Sequence, residues 1–215
     1  DNPTGATLPL ERRVALAALA ERYGFWIVDD DPYGTLRWVA ERPTPLRELS
    51  DRVISLGTTS KMLCPGLRVG WAVAPPELSR AIVVLKQAAD LRPGALAQQV
   101  VHRLVARPDG WFDDRLDDVR GRYRVQADVL VAELRLQLGD RLAFRPPDGG
   151  MFLWATVAGA GVDTAQLLER ALAHGVAFVP GAAFGVEGTH PTALRLSFAT
   201  TSPSGLAEAV RRLGA

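Results

Sequence analysis

The chain has 215 residues, 47% of them hydrophobic, enough to bury a core in one large domain or two small ones. A formal net charge of +1 leaves no electrostatic footprint for nucleic acid or a membrane surface, and no apolar run reaches the roughly 18 residues of a spanning helix. The single cysteine excludes an intramolecular disulfide and sets no metal cluster, which suits a reducing, cytoplasmic setting.

Asp1-Asn2-Pro3-Thr4-Gly5 is dense turn chemistry with neither an initiator Met nor a signal core, and the expectation is a piece of a longer protein. Pro9 to Tyr23 predicts a helix, with Leu10, Val14, Ala17, Ala18 and Glu21 at helical spacing and Gly24 as its stop. Phe25-Trp26-Ile27-Val28 predicts a short buried strand that ends in Asp29-Asp30-Asp31-Pro32-Tyr33. Val53 to Leu56 and Leu67 to Ala74 predict two more strands. Helix, strand, loop, strand in this order predicts an α/β layer with a largely parallel sheet, whose ligands gather at the carboxyl ends of strands. Asp30 and Lys61 both fall just past such ends.

Glu77 to Asp90 and Pro93 to Val105 predict helices. Phe112, Leu116, Val119, Tyr123, Leu130, Leu134 and Leu138 then step by three or four, with Gln126 the polar exception, which predicts one long helix ended by Gly139. Beyond it the texture changes. Short strands are expected at Leu142 to Phe144, Met151 to Thr156, Val176 to Val179 and Leu194 to Phe198, with helices at Thr164 to His174 and Pro203 to Leu213. The expected organisation is therefore part of a larger α/β domain over 1–110, a connecting helix over 111–139 and a small α+β domain over 140–215.

The chemistry concentrates around Gly57-Thr58-Thr59-Ser60-Lys61. The chain has two lysines, Lys61 and Lys86, against a large excess of arginine. An arginine stays charged at any working pH, whereas a desolvated lysine can shed its proton and attack a carbonyl. Thr58 and Ser60 add hydroxyls beside it, and Arg68 adds a fork suited to phosphate. Arg68 sits in what reads as an apolar strand, where a lone arginine calls for an anionic partner. Arg195, in Leu194-Arg195-Leu196-Ser197-Phe198, alternates with apolar residues and should point to the other face of its strand.

Each of these residues also has an ordinary reading. Lys61 could be a surface lysine, Asp30 a solvated loop acid or cap, Tyr33 a packing residue and Asn2 a turn former. Cys64 reads as a small buried filler, Trp26, Trp71 and Trp154 as core, and Gly66, Gly70, Gly149, Gly150 and Gly181 as turn or close-packing positions. His102, His174 and His190 lack metal-ligand spacing, so no metal is expected.

Taken in order, Asn2-Pro3-Thr4-Gly5, Asp30 with Tyr33, Ser60-Lys61, Arg68 seven residues later and Arg195 form a set that resembles the fold-type I pyridoxal-phosphate enzymes, specifically the class I/II aminotransferases. The wording of Asp29 to Trp38 and of Ser60 to Trp71 looks most like the branch acting on 2-aminoadipate, branched-chain and aromatic amino acids. The resemblance runs from Asn2 to about Leu213. It implies pyridoxal 5'-phosphate held by Lys61 as an internal aldimine, with Lys61 then moving the substrate proton. It implies Asp30 on the ring nitrogen, Asn2 and Tyr33 on the ring's 3'-oxygen, and Thr58, Ser60 and Arg68 on the phosphate. Arg195 would take the substrate α-carboxylate, and Asn2 would also belong to the substrate-binding set.

The implied partners are an amino acid and a 2-oxo acid, with a homodimer in the full-length protein. Two other functions stay open on the same scaffold: the cofactor-sensing half of a transcriptional regulator with an upstream DNA-binding segment, and a carbon–sulfur lyase. The family's glycine- or serine-rich phosphate turn and its ring-stacking aromatic precede the Asn-Pro-Thr-Gly turn and are not in this sequence. The 215 residues alone are expected to be inactive and prone to aggregate.

Overall fold

The computed structural model describes residues 1–39, 42–92, 94–159 and 161–214; Pro93, the expected start of one helix, lies outside the described residues. The chain divides into two compact units, Leu8–Val119 and Asp1–Thr7 with Arg120–Ala215.

In the first unit α1 spans Leu10–Tyr23, with Pro9 at its N-cap. Gly24, at φ 74°, closes it with an N–H to the Ala20 carbonyl, a left-handed turn that glycine adopts freely. Three strands follow: β1, Ile27–Asp30; β2, Val53–Thr58; and β3, Gly70–Val73. β1 starts two residues later than the hydrophobic run suggests. Phe25 and Trp26 bridge from the helix cap, and ladder bonding begins where the Ile27 N–H meets the Arg52 carbonyl at 2.9 Å. The Arg52 guanidinium lies 5.6 Å from the Trp26 ring, covering an indole that is 40% exposed rather than core.

β1 and β2 run parallel in the register Ile27↔Val53 to Asp30↔Leu56, whereas β3 is antiparallel to β2, with Thr58 opposite Gly70. The fold is α/β, with one parallel and one antiparallel pair in this sheet. The antiparallel pair has a simple cause. A parallel neighbour needs a crossover of a dozen or so residues, normally α-helical, and residues 59–69 hold only turns and the short 3-10 segment Pro65–Leu67.

One face of the sheet is covered: Ile27 and Val53 pack with Ala20 of α1 and with Leu46, and Leu16 adds to the cluster. Small Ala17 and Ala20 are the buried positions of the helix, while Leu10 and Val14, expected on the same stripe, are about half exposed. On the other face, Val28 is 60% exposed. Trp71 also departs from the expected core position: its indole lies against Gly57, where an added Cβ would meet ring atoms at 2.3–2.5 Å, and β3 is exposed throughout. Two helices follow, α2 over Pro76–Ala89 and α3 over Ala95–Val105. Neither buries a residue, so Val83, Val84, Leu85 and Leu96 face outward.

The long helix is present as α4, Trp111–Leu138. Leu116, Val119, Ala127, Leu130, Val131, Leu134 and Leu138 are buried along it at helical spacing. The polar exception is resolved: Gln126 is buried, and its Nε2 donates to the Thr201 carbonyl at 2.6 Å. Buried amides persist where they find such a partner.

The second unit holds β4, Leu142–Phe144; β5, Phe152–Val157; β6, Val179–Pro180; and β7, Ala193–Ser197. They form an antiparallel sheet in the order β4-β5-β7-β6. The third strand of this unit is shorter than the 176–179 run suggests, since pairing is limited to Val179 and Pro180. Leu153, Ala155, Leu194, Leu196 and Phe198 are buried, and Phe198 meets the Tyr123 ring of α4 edge-on at 6.3 Å. α6, Pro203–Gly214, buries Leu206 and Val210.

α5, Thr164–Ala173, is capped by Asp163, whose carboxylate accepts from the Ala165 N–H at 2.8 Å. Its first residue is a buried tie. The Thr164 hydroxyl lies 2.7 Å from the Ala193 carbonyl and 2.9 Å from that of Pro191, fastening α5 to the chain that enters β7. Thr164→Val keeps the shape and removes the donor. It is expected to lower stability by about 1–3 kcal/mol, read as a shift of the urea midpoint at unchanged slope.

Candidate functional site

The candidate site residues fall in two clusters of polar side chains, one in each unit. The first sits past the carboxyl ends of β1 and β2. Pleating puts Ile27 and Asp29 on the covered face of the sheet and Val28 and Asp30 on the other. By the same alternation Thr58 follows Leu56, the partner of Asp30, on the face that carries the Asp30 carboxylate. After β1 the chain makes a tight turn. Gly34 leaves room there for the Asp31 carboxylate, which a Cβ would meet at 2.1–2.7 Å. Arg42 holds that carboxylate at 2.6 Å. The Leu36 N–H returns to the Tyr33 carbonyl at 2.8 Å, and fully buried Leu36 anchors the turn, which fixes Tyr33 beside the strand ends.

After β2, residues 59–63 make a single helical turn, the Leu63 N–H bonding the Thr59 carbonyl at 2.9 Å. Buried Thr59 pins this turn to the incoming strand, its N–H and hydroxyl both 3.0 Å from the Val69 carbonyl. The Thr58 and Ser60 hydroxyls lie 3.0 Å apart, and the Ser60 N–H donates to the Thr58 oxygen at 3.1 Å. Lys61 projects from this turn half-buried, with Nζ 6.0 Å from the centre of the Tyr33 ring. Among the described residues its amine has no carboxylate partner, in contrast to Lys86, which is paired to Asp90 at 2.8 Å.

Arg68 departs from the expected strand position. It ends the Pro65–Leu67 turn at φ 52°, ψ 35°, in the left-handed region, and β3 starts two residues later. A bulky residue there carries strain of about 1–2 kcal/mol, which persists where the surroundings or a bound group require it. The guanidinium is exposed, with one contact at 3.5 Å to the Pro65 carbonyl. Cys64, expected as a buried filler, is also exposed, since it enters this turn from outside the sheet.

The second cluster surrounds Arg195. In β7 the apolar Leu194, Leu196 and Phe198 turn inward and Arg195 points the other way, opposite Trp154 of β5 and Val179 of β6. The Arg195 guanidinium carbon lies 4.0 Å from the centre of the Phe152 ring and 4.8 Å from that of Phe184. Nη1 donates to Asn2 Oδ1 at 2.6 Å. Asn2 is presented by the opening turn. The Gly5 N–H bonds the Asp1 carbonyl at 2.9 Å, Asn2–Pro3 is cis, and Gly5 at φ 69° packs where a Cβ would come within 3.1 Å of the Phe152 carbonyl.

Asp30, Tyr33, Thr58, Ser60, Lys61 and Arg68 therefore gather in one unit, and Asn2 and Arg195 in the other. The aromatic residues around Arg195 escaped the sequence reading. Phe152 and Trp154 alternate on the strand paired with Arg195, a signal open to anyone who had the register. Phe184 lies in a turn and carries no such signal. Among the described residues no group of three His, Cys, Asp or Glu side chains could hold a metal ion.

One unit therefore carries an amine beside a phenol, a carboxylate on the neighbouring strand end, two hydroxyls at the end of β2 and a guanidinium on the turn before β3; the other carries a guanidinium bonded to an amide. The chain belongs to the class I and II aminotransferase family, whose model matches residues 1–213. It is 37% identical over 214 residues to aromatic-amino-acid aminotransferase 1 of Thermococcus litoralis, covering 99% of this chain and 51% of that protein.

Among solved structures it is similar to the α-aminoadipate aminotransferase LysN of Thermus thermophilus, complexed with N-(5'-phosphopyridoxyl)-L-leucine. That likeness has a TM-score of 0.93 and 41% identity, over 99% of this chain and 55% of that one. The kynurenine aminotransferase of Pyrococcus horikoshii in complex with PMP gives a TM-score of 0.94 and 36% identity, over 100% and 53%. The chain thus spans about half the length of the relatives it matches.

The acidic run past β1 is electrostatically loaded. Burial, and then the neighbouring Asp31, raise the Asp29 carboxyl above its ordinary value, against a smaller pull downward from Arg13 and Arg42. An acid raised on folding takes up a proton in the folded state, so stability falls as pH climbs from the ordinary value of 3.8 through the raised one. Asp29→Asn is expected to remove that loss. Its melting temperature should exceed the parent's by more at pH 7 than at pH 4 in paired thermal scans.

Proposed function

We propose that the protein of which these residues form part transfers an amino group between an amino acid and a 2-oxo acid, using pyridoxal 5'-phosphate. The observation that carries this reading is the placement of the Lys61 amine against the Tyr33 ring, past strand ends whose open face bears Asp30 and Thr58. The residues present fit the cofactor by their chemistry. Thr58 and Ser60 offer two hydroxyls and Arg68, between β2 and β3, a planar cation, a set suited to a phosphate. Arg68 in the left-handed region is the kind of strained residue that binding sites retain.

When bound, pyridoxal 5'-phosphate supplies an aldehyde and a ring that accepts electrons from the substrate α-carbon. Lys61 would hold that aldehyde, and its amine is the group that would take the proton from the substrate α-carbon and give it back. Asp30 would pair with the ring nitrogen, since a carboxylate beside it favours the protonated, cationic form. Tyr33 and Asn2 would be the donors to the ring's 3'-oxygen, as the family resemblance implies. Arg195 takes the substrate α-carboxylate and, with Asn2 on its other side, fixes the direction of the Cα–H bond. In this reading residues 1–110 belong to the larger cofactor domain, 111–139 form the connecting helix and 140–215 the small domain. The full-length protein works as a cytoplasmic homodimer.

In the full-length protein, borohydride reduction followed by peptide mapping is expected to leave the cofactor on Lys61; a label on Lys86 overturns the assignment. Lys61→Ala should lower turnover by about 10³-fold or more. Amino acids supplied with 2-oxoglutarate should yield glutamate, and ammonia with pyruvate instead would mark a lyase.

A further inference from the structure

We propose that Phe184 is a positioning residue for the α-carboxylate site: with Phe152 it clamps the Arg195 guanidinium between two rings and holds it for a planar carboxylate. The proposal rests on the reading of Arg195 as the carboxylate-binding residue. Three observations carry it. First, the guanidinium carbon sits 4.0 Å and 4.8 Å from the Phe152 and Phe184 ring centres, inside the range of an effective cation–π contact. Asn2 fixes one edge of the cation at 2.6 Å, so ring faces and an amide together restrain a side chain that otherwise has large rotamer freedom.

Second, Phe184 is itself held. The Trp154 indole meets it edge-on at 5.7 Å and 80°, and Trp154 stands directly opposite Arg195 in the β5–β7 ladder. Third, the turn that delivers Phe184 is built for close approach. It runs over Gly181–Phe184, and a Cβ on buried Gly181 would meet the His190 carbonyl oxygen at 2.3 Å and the Ala193 carbonyl oxygen at 2.8 Å. Only a glycine lets this turn press against the start of β7. Phe184 is thereby fixed from behind by backbone and from the side by an indole.

A clamped guanidinium gives up little freedom when a carboxylate arrives, and that saving appears as affinity. Amino acid and 2-oxo acid share the carboxylate, so both should be affected alike. In the full-length enzyme Phe184→Leu is expected to raise KM for both substrates about tenfold, with kcat changed less than threefold and the cofactor absorbance unchanged. Calorimetric titration with 4-methylpentanoate, a carboxylate with no amino group, should weaken by the same factor. Phe184→Tyr, which keeps the ring, should restore both values. If Phe184→Leu does not fold, Phe152→Leu carries the same expectations.

Arg195→Lys is measured in parallel. If it leaves KM and the 4-methylpentanoate affinity unchanged, the underlying carboxylate reading fails. If it weakens both while Phe184→Leu and Phe152→Leu weaken neither, or if the tyrosine variant behaves as the leucine one, the clamp is overturned.

Discussion

The register of β1 against β2 is the constraint on which the placement of Asp30 and Thr58 depends. Parallel pairing of Ile27 with Val53 ends both strands at the same edge, so the chain leaving β1 and the chain leaving β2 emerge side by side. A slip of one residue would carry Asp30 to the face covered by α1 and bury Val28 in its place. The cluster of Ala20, Ile27, Leu46 and Val53 makes that slip costly, because Ile27 would leave the core and lose its packing beside Val53. Hydrophobic packing on one face thus decides where a carboxylate stands on the other.

The two clusters use different means to hold a charged side chain in place. Around Lys61 the restraint is backbone. Thr59 ties the turn to Val69 through its N–H and hydroxyl, and the long side chain reaches over the Tyr33 ring. Around Arg195 the restraint is side chain on side chain, two rings and an amide on a rigid strand. The difference suits what each group does in the proposed mechanism. A lysine that moves a proton between atoms needs some travel, whereas an arginine that orients a carboxylate gains from having none.

Much of this was legible in the sequence, and the misses share a cause. The long helix could be read because apolar residues recur every three or four positions from Leu116 to Leu138. Its one violation, Gln126, needed a partner 75 residues away, which local pattern cannot supply. The strand at 27–30 was displaced because Phe25 and Trp26 are as apolar as a core strand, yet serve as a bridge after a glycine cap. Trp71 and Arg68 were misplaced for related reasons. β3 is an exposed edge, and a left-handed arginine in a turn has no signature in composition. The family resemblance reached the polar residues through the order of the motifs. The aromatic clamp stayed invisible because Phe184 meets Arg195 only after β6, β7 and the Gly181 turn have come together.

The bond between Asn2 and Arg195 spans 193 positions of the chain. During synthesis the amide emerges first and must wait for its cation, since Arg195 leaves the ribosome near the far end of these residues. Contacts of such separation close late and slowly, after the local helices have formed. The turn that carries Asn2 therefore lacks this partner until Arg195 has been made, and the unit it joins becomes whole only with β7.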